Sequence, residues 1–349
     1  MIDIDKDINK AKTLPSKFYL DDVFFNKAKD IFINSIQMIC SENELKNISL
    51  YPISYFPEYL NESLVLSKKG KDFYCMSNVC THRGHLLTEC NSNNKLLKCR
   101  YHGRTFNLNG KLKQAPGFEN ATDFPSEEDN LDHNSIYNWN GFLFISLNQN
   151  KKIFKKLNQI DKILPNFRYN DLSDNPYRNE YIIDCHWALY CDNYLEGFHI
   201  PYVHKGLNSD MDWTKYETHI LDDIVLQKAI SKDPKNMISY GDENGIYAYY
   251  FFIFPNIMLN YYKWGISINI VEPIAKDRTR IKYIIYNLKN EKTPSNSSSS
   301  VDIVEIEDQR VVLNVQKGIQ SRHYNRGRFS PDLEKGVHYF HRLISERIN

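Results

Sequence analysis

Apolar positions along this chain change period three times. Between Leu20 and Cys40 they return at helical intervals, which predicts one helix inside a helical segment of residues 1–45. From 46 to about 150 the texture is different. Short β-rich runs (Leu64 to Leu66, Phe73 to Cys75, Leu96 to Cys99, Phe142 to Leu147) alternate with turn residues such as Ser92-Asn93-Asn94, Asn109-Gly110 and Pro116-Gly117. This predicts a small all-β domain over 46–155. Beyond a lysine-rich stretch at 151–156, Trp264, Ile266, Ile268 and Ile270 alternate with Gly265, Ser267 and Asn269, the period of a half-buried strand, and Ile281 to Tyr286 adds another apolar run. An antiparallel sheet is therefore expected within a third segment, 156–349. The Pro/Ser-rich stretch Lys292 to Ser300 is expected to be a mobile loop before a final amphipathic helix. On that helix Val304, Val311, Val315 and Ile319 form a stripe that includes Asp308, while Glu307, Arg310, Asn314 and Lys317 define a wet face.

Composition narrows the function classes. The 44 basic and 43 acidic side chains nearly cancel, so no electrostatic case exists for nucleic acid or an anionic membrane as principal partner. The N-terminus, MIDIDKDINK, has no apolar h-region, which makes the cytoplasm the default compartment. The most apolar stretch, Tyr247 to Val271, is interrupted by Pro255, Asn256, Asn260, Lys263 and Asn269, so it reads as core strand and not as a membrane span. Seven cysteines, an odd count without a secretory signal, favour free thiols or metal ligands over disulfides.

Two Cys/His pairs stand out. Cys80-Thr81-His82 and Cys99-Arg100-Tyr101-His102 form a C-x-H…C-x-x-H pattern on two loops. Thiolates suit ferric iron with bridging sulfide, and imidazoles on the second iron raise the potential. Chance pairing and a structural zinc site are the alternatives. A glycine follows each His (Gly84, Gly103), as a tight turn around an inorganic core requires, which favours a [2Fe-2S] cluster.

A second constellation lies downstream. Asn193, Glu196 and His199 are spaced at three-residue steps, one face of a predicted helix that Pro201 would end, letting His204 swing back towards His199. Two histidines need a carboxylate to complete the facial triad of a non-haem Fe(II) site, and Asp308, an acid on an apolar stripe, is the candidate. Taken singly, these residues also read as core or surface histidines, an ion-paired acid and, for Glu196, a helix-face acid. Asn193 and Glu196 are the candidate catalytic residues beside the metal ligands. Cys40, Cys75, Cys90, Cys185 and Cys191 match no ligand position and read as buried thiols.

Together, CTHRGHLL, CRYHGRTFNLNGK, the segment Asp192 to His204 and Glu307-Asp308 through Gly318 resemble Rieske non-haem iron oxygenase alpha subunits, over about residues 45 to 325. CDNYLEGFHIPYVHKGL is most similar to the choline and carnitine monooxygenase branch. Arg104 stands where many members carry Trp, a departure in loop packing and not in a ligand. The resemblance implies an α+β protein: a small all-β Rieske [2Fe-2S] domain, then a helix-grip (START-like) antiparallel-sheet catalytic domain on which the N-terminal segment packs. It implies Cys80, His82, Cys99 and His102 as cluster ligands and His199, His204 and Asp308 as Fe(II) ligands. It also implies a separate NAD(P)H-dependent reductase, with or without a ferredoxin, and a head-to-tail homotrimer in which Glu196 bridges to a cluster histidine of the neighbouring subunit. The substrate would be small and oxidised with O₂. A quaternary ammonium compound such as choline, a betaine or carnitine fits the branch, and Trp213, Tyr216, Tyr247, Tyr249, Tyr261, Tyr262 and Trp264 are available to bind one. An arene hydroxylase or O/N-demethylase, and a non-catalytic electron carrier, are the alternatives.

Overall fold

The computed structural model describes residues 2–149, 151–291 and 301–349. It divides into two compact units, Ile33–Phe154 and the remainder, so the chain leaves one unit after Phe32 and re-enters it at Lys155.

The expected helix from Leu20 to Cys40 is not one element. It is α1 (Ser16–Leu20), α2 (Asp22–Lys27) and α3 (Lys29–Ile33), followed by strand β1 (Gln37–Ser41). Asp21 breaks the run because it sits in extended conformation and its side chain accepts from Val23 N–H at 2.9 Å, the N-cap geometry that starts a new helix. The expected boundary at residue 45 also moves to 33, because β1 pairs antiparallel with the strand ending the other side of its unit. Tertiary pairing overrides a local helical period here.

The Ile33–Phe154 unit continues with β2 (Leu50–Tyr55), β3 (Glu62–Lys69), β4 (Asp72–Ser77), β5 (Leu96–Lys98), β6 (Thr105–Asn107), β7 (Leu112–Gln114), β8 (His133–Trp139) and β9 (Phe142–Ser146). They form a six-stranded sheet, β1-β9-β8-β4-β3-β2, and a three-stranded sheet, β5-β6-β7. Leu50, Val65, Met76, Leu97 and Phe106 form an apolar cluster that also takes in Cys80 and Cys99. Burial of that cluster is the driving force for the unit.

The other unit adds α4 (Leu157–Ile163), β10 (Tyr177–Ile183), α5 (Trp187–Tyr194), α6 (Ile200–Val203), α7 (Lys205–Asp210), β11 (Met211–Leu221), β12 (Ile224–Ser231), β13 (Ile246–Ile253), β14 (Ile257–Tyr262), β15 (Gly265–Ala275), β16 (Arg278–Asn287), α8 (Val301–Gly318) and α9 (Lys335–Ile348). Its strands make one antiparallel sheet, β10-β16-β15-β14-β13-β12-β11, with α5 against α8 and β15. The molecule is a mixed α+β protein. The apolar stretch 247–271 is core strand as expected, divided among β13, β14 and β15. Among the described residues no helix is long and apolar enough to cross a membrane.

Three expectations need correcting. β15 is not half-buried: Ser267 and Asn269 are as enclosed as the isoleucines between them, because α5 packs on this strand and both polar side chains are hydrogen-bonded inside, Ser267 accepting from Asn260 and Asn269 donating to Glu305. The helix carrying Asp308 is not the last, since α9 follows it. Its buried positions among the described residues are Glu305, Val312 and Gln316, with Ile319 buried just past its end and Val315 exposed, so the true inner face carries polar groups that an apolar stripe cannot reveal. The predicted loop Lys292 to Ser300 lies outside the described residues.

Candidate metal centres and active site

The two cluster loops repeat one backbone design. Cys80 N–H donates to the His85 carbonyl (2.9 Å) and Gly84 N–H to the Cys80 carbonyl (3.0 Å); Cys99 N–H donates to the Arg104 carbonyl (2.8 Å) and Gly103 N–H to the Cys99 carbonyl (3.1 Å). Each loop is thus closed on its own cysteine. Gly84 and Gly103 have φ of +70° and +78°, the left-handed region, so glycine is required by conformation. Both thiols are buried, whereas His82 is half-buried and His102 exposed, and the imidazole rings lie 4.7 Å apart by centroid. Burial and then the neighbouring Cys99 push the Cys80 thiol above its ordinary range. A soft sulfur pair and an imidazole pair on facing loops fit a two-iron cluster.

Arg104 is the buried neighbour of these loops. It donates to Thr81 Oγ1 (2.8 Å), pairs with Asp129 (3.3 Å), and lies over the rings of Phe118 (4.8 Å) and Phe124 (5.3 Å). It stitches the two loops together, a packing role, and adds a positive charge beside the ligands. Of the remaining cysteines Cys40, Cys75, Cys185 and Cys191 are buried, but Cys90 is exposed, contrary to the expectation for all five.

In the other unit α5 ends at Tyr194, so Asn193, Glu196 and His199 do not share one helix. Pro201 does not end a helix either. It occupies the first turn of α6, where its missing N–H costs nothing. His204 still returns to His199: their Nε2 atoms are 3.1 Å apart, and Asp308 Oδ1 lies 3.0 Å from His204 Nε2 and 3.5 Å from His199 Nε2. Cis-related donors on bonds of roughly 2.1 Å stand about 3 Å apart, so this spacing suits one divalent ion.

Each of the three is held from behind. His199 Nδ1 donates to Glu196 Oε1 (2.6 Å) and His204 Nδ1 to Glu307 Oε2 (2.8 Å). Those carboxylates place both protons on Nδ1 and leave both Nε2 lone pairs facing inward. Asn193 Nδ2 donates to Asp308 Oδ1 at 2.7 Å. Burial lowers the His204 pKa, but hydrogen bonds and charge from Asp308 and then Glu307 outweigh it, so the net direction is upward. Glu307 was expected on the wet face, but its position beside Asp308 on α8 aims it at His204. Its adjacency to the predicted ligand was the signal in the sequence.

α5 is itself anchored from below. Leu14 N–H donates to His341 Nδ1 (3.0 Å), so His341 Nε2 carries the proton and donates to Asp192 (2.8 Å), which also accepts from the Tyr19 hydroxyl (2.9 Å). The N-terminal segment and α9 thereby fix the residue next to Asn193.

Above His199, His204 and Asp308 lies a cavity of about 110 Å³. The sheet contributes Tyr250, Met258, Asn260, Tyr262, Asn269 and Tyr283, which share a face by register: Tyr250 pairs with Asn260, and Asn269 with both Met258 and Tyr283. Helices contribute Tyr190, Tyr194 and Glu305, and Glu196 also lines the space. Of the seven aromatics proposed from sequence, Tyr216 and Tyr262 reach the cavity. Tyr249 and Tyr261 point to the other face, where Tyr261 meets Phe167 and Tyr169. Tyr250 and Tyr283 were missed because strand alternation gives two faces without saying which is hollow, and Tyr190 and Tyr194 because they lie on α5, whose inward side no strand pattern reports.

Residues 35–125 match the Rieske [2Fe-2S] domain, and residues 170–349 match the ring hydroxylating alpha subunit (catalytic domain). The chain is 26% identical to the chloroplastic choline monooxygenase of Arabidopsis thaliana, covering 98% of this chain and 84% of that one. It is 27% identical to the carnitine monooxygenase oxygenase subunit of Escherichia coli K12, covering 97% and 94%. The crystal structure of the quaternary ammonium Rieske monooxygenase CntA with L-carnitine superposes with a TM-score of 0.76 at 23% identity, over 98% of this chain and 97% of that one, a likeness of fold. This chain belongs to the ring-hydroxylating alpha subunits, the oxygenases that pair a Rieske [2Fe-2S] domain with a mononuclear iron catalytic domain.

Proposed function

We propose that this oxygenase hydroxylates or oxidatively demethylates a small quaternary ammonium compound of the choline, betaine or carnitine kind. As in its family, O₂ is the co-substrate and electrons arrive from a partner reductase, which alone uses NAD(P)H. The cavity carries the substrate reading. Six tyrosines and the acids Glu196, Glu305 and Asp308 line it, and among the described residues no Lys or Arg does. Tyrosine faces attract a trimethylammonium group and carboxylates neutralise it, whereas no basic side chain is there to pair with an anionic arene.

His82, His102, Cys80 and Cys99 would hold the cluster, and His199, His204 and Asp308 the Fe(II). When bound, the iron activates O₂ with electrons delivered through the cluster, so that C–H, O₂, two electrons and two protons yield C–OH and water. The chain's own residues do the positioning. Glu196 and Glu307 orient the two imidazoles, Asn193 holds Asp308, and the tyrosine walls exclude water from the reacting carbon. Glu196 and Asn193 are thus positioning residues. For Glu196 a second task is proposed, relaying to a cluster histidine of a neighbouring subunit in a head-to-tail homotrimer. Exposed Phe198 and Tyr202, at 37% and 74%, flank it and support a protein contact there. The cytoplasm suits this chemistry, with a reductase, alone or with a ferredoxin, at hand.

The test is substrate-stimulated O₂ uptake by iron- and cluster-loaded protein with a surrogate reductase, comparing choline, glycine betaine and carnitine with aromatic acids. Stimulation by a quaternary amine with matching product is expected. Stimulation by the aromatic acids alone would overturn the reading.

A further inference from the structure

We propose that Glu305 is the anion that selects a positively charged head group in this cavity, and so sets the charge class of the substrate. The inference rests on the quaternary ammonium reading and deepens it by naming the residue responsible.

Glu305 sits on α8 nearly one turn before Asp308, so its carboxylate enters the same cavity. It is 6% exposed. Its partners are neutral donors: the Tyr190 hydroxyl and Gln309 Nε2 (3.3 Å) on Oε1, and Asn269 Nδ2 (3.3 Å) on Oε2. Behind Asn269 the donors continue in one direction. The Tyr194 hydroxyl donates to Asn260 Oδ1 (2.6 Å), and Asn260 Nδ2 donates to Asn269 Oδ1 (3.4 Å). Every bond in this row points its hydrogen towards Glu305, which holds the carboxylate as an acceptor without cancelling its charge.

A buried carboxylate lacking a counter-charge is costly. Burial pushes Glu305 up to about 7, and the charge of Asp308 adds to the rise. A permanent cation seated among Tyr194, Tyr250 and Tyr262 would offset that cost, and the tyrosines would supply the rest of its binding through their ring faces. The competing role is charge balance for the divalent ion at His199, His204 and Asp308. That role makes Glu305 matter for iron content and leaves ligand charge irrelevant.

The experiment is equilibrium binding by calorimetry to iron- and cluster-loaded protein, using choline, carnitine and 3,3-dimethylbutan-1-ol, the neutral tert-butyl isostere of choline. Wild-type protein should favour the cations. Glu305→Gln should weaken choline about 10- to 100-fold, as loss of one charge contact in a partly shielded site implies, with the isostere nearly unchanged. Glu305→Asp should keep part of the preference, and iron content and cluster absorption should stay at wild-type levels in both variants. Equal weakening of choline and isostere, unaltered choline binding, or loss of iron in Glu305→Gln would overturn the role given to Glu305. Wild-type protein that favours neither cation over the isostere would instead overturn the substrate reading, and this inference with it.

Discussion

In the Ile33–Phe154 unit the four residues proposed to hold the cluster come from two loops that each close on their own cysteine. In the other unit His199 and His204 come from the turns around α6, and Asp308 from a helix 104 residues beyond His204. The first design is local, and its information is written in two short stretches. The second is assembled by tertiary packing, with every proposed ligand hydrogen-bonded to a partner: Glu196, Glu307 or Asn193. A site of the first kind fails at its ligands, and one of the second kind can also fail at the groups behind them.

The largest effects should come from removing ligands, and they should be separable. Cys99→Ala is expected to abolish the visible cluster absorption while mononuclear iron, assayed by metal analysis, remains. His204→Ala should do the reverse, eliminating that iron and turnover with the cluster spectrum intact. Loss of both metals in either variant would break the comparison, because the two sites would then not be independent.

Partner groups should rank next. Glu307→Gln is expected to lower iron affinity or activity by about 10- to 100-fold, the usual weight of a residue orienting a ligating histidine. Glu196→Gln should resemble it in iron affinity. At full iron loading it should additionally slow single-turnover oxidation of the pre-reduced cluster, which Glu307→Gln should not. Equal oxidation rates in the two variants would leave Glu196 with an orienting task alone.

The clarity of each unit in the sequence follows the same division. C-x-H and C-x-x-H with trailing glycines could be read directly, because a positive φ after each His needs no distant contact. His199, His204 and Asp308 could be named, but not the way they meet: Pro201 starts a helix instead of ending one, and Glu307 turned from solvent to His204. Apolar periodicity was also blind to the inner face of α8, where Glu305 and Gln316 are buried. The N-terminal helix was misread because pairing of β1 with β9 outweighs the local period.

Smaller effects sharpen the contrast further. Choline affinity should fall as pH drops below about 7, by at most tenfold per unit, because protonation of Glu305 removes its charge. Tyr190, Asn269, Gln309 and Asp308 face that carboxylate, and an occupied iron site would move the fall to lower pH. A binding series across roughly pH 5 to 8 reads this. Smallest, Arg104→Met should shift the cluster to lower potential in a redox titration, since it deletes a positive charge beside the ligands and leaves Asp129 uncompensated. An unchanged potential would reduce Arg104 to loop packing.

The placement of Glu307 and Asp308 side by side on α8 carries one more consequence. Both reach across to the segment around His199 and His204, so an ion held there would staple α8 to the body of its unit. Docking of α8 and occupancy of the site are then two readings of one linked equilibrium: whatever frays the helix weakens the ion's hold, and the ion in turn suppresses amide exchange along the helix. Substitutions at Val312 or Gln316, which touch no ligand, would therefore reach the iron through the helix that carries Asp308.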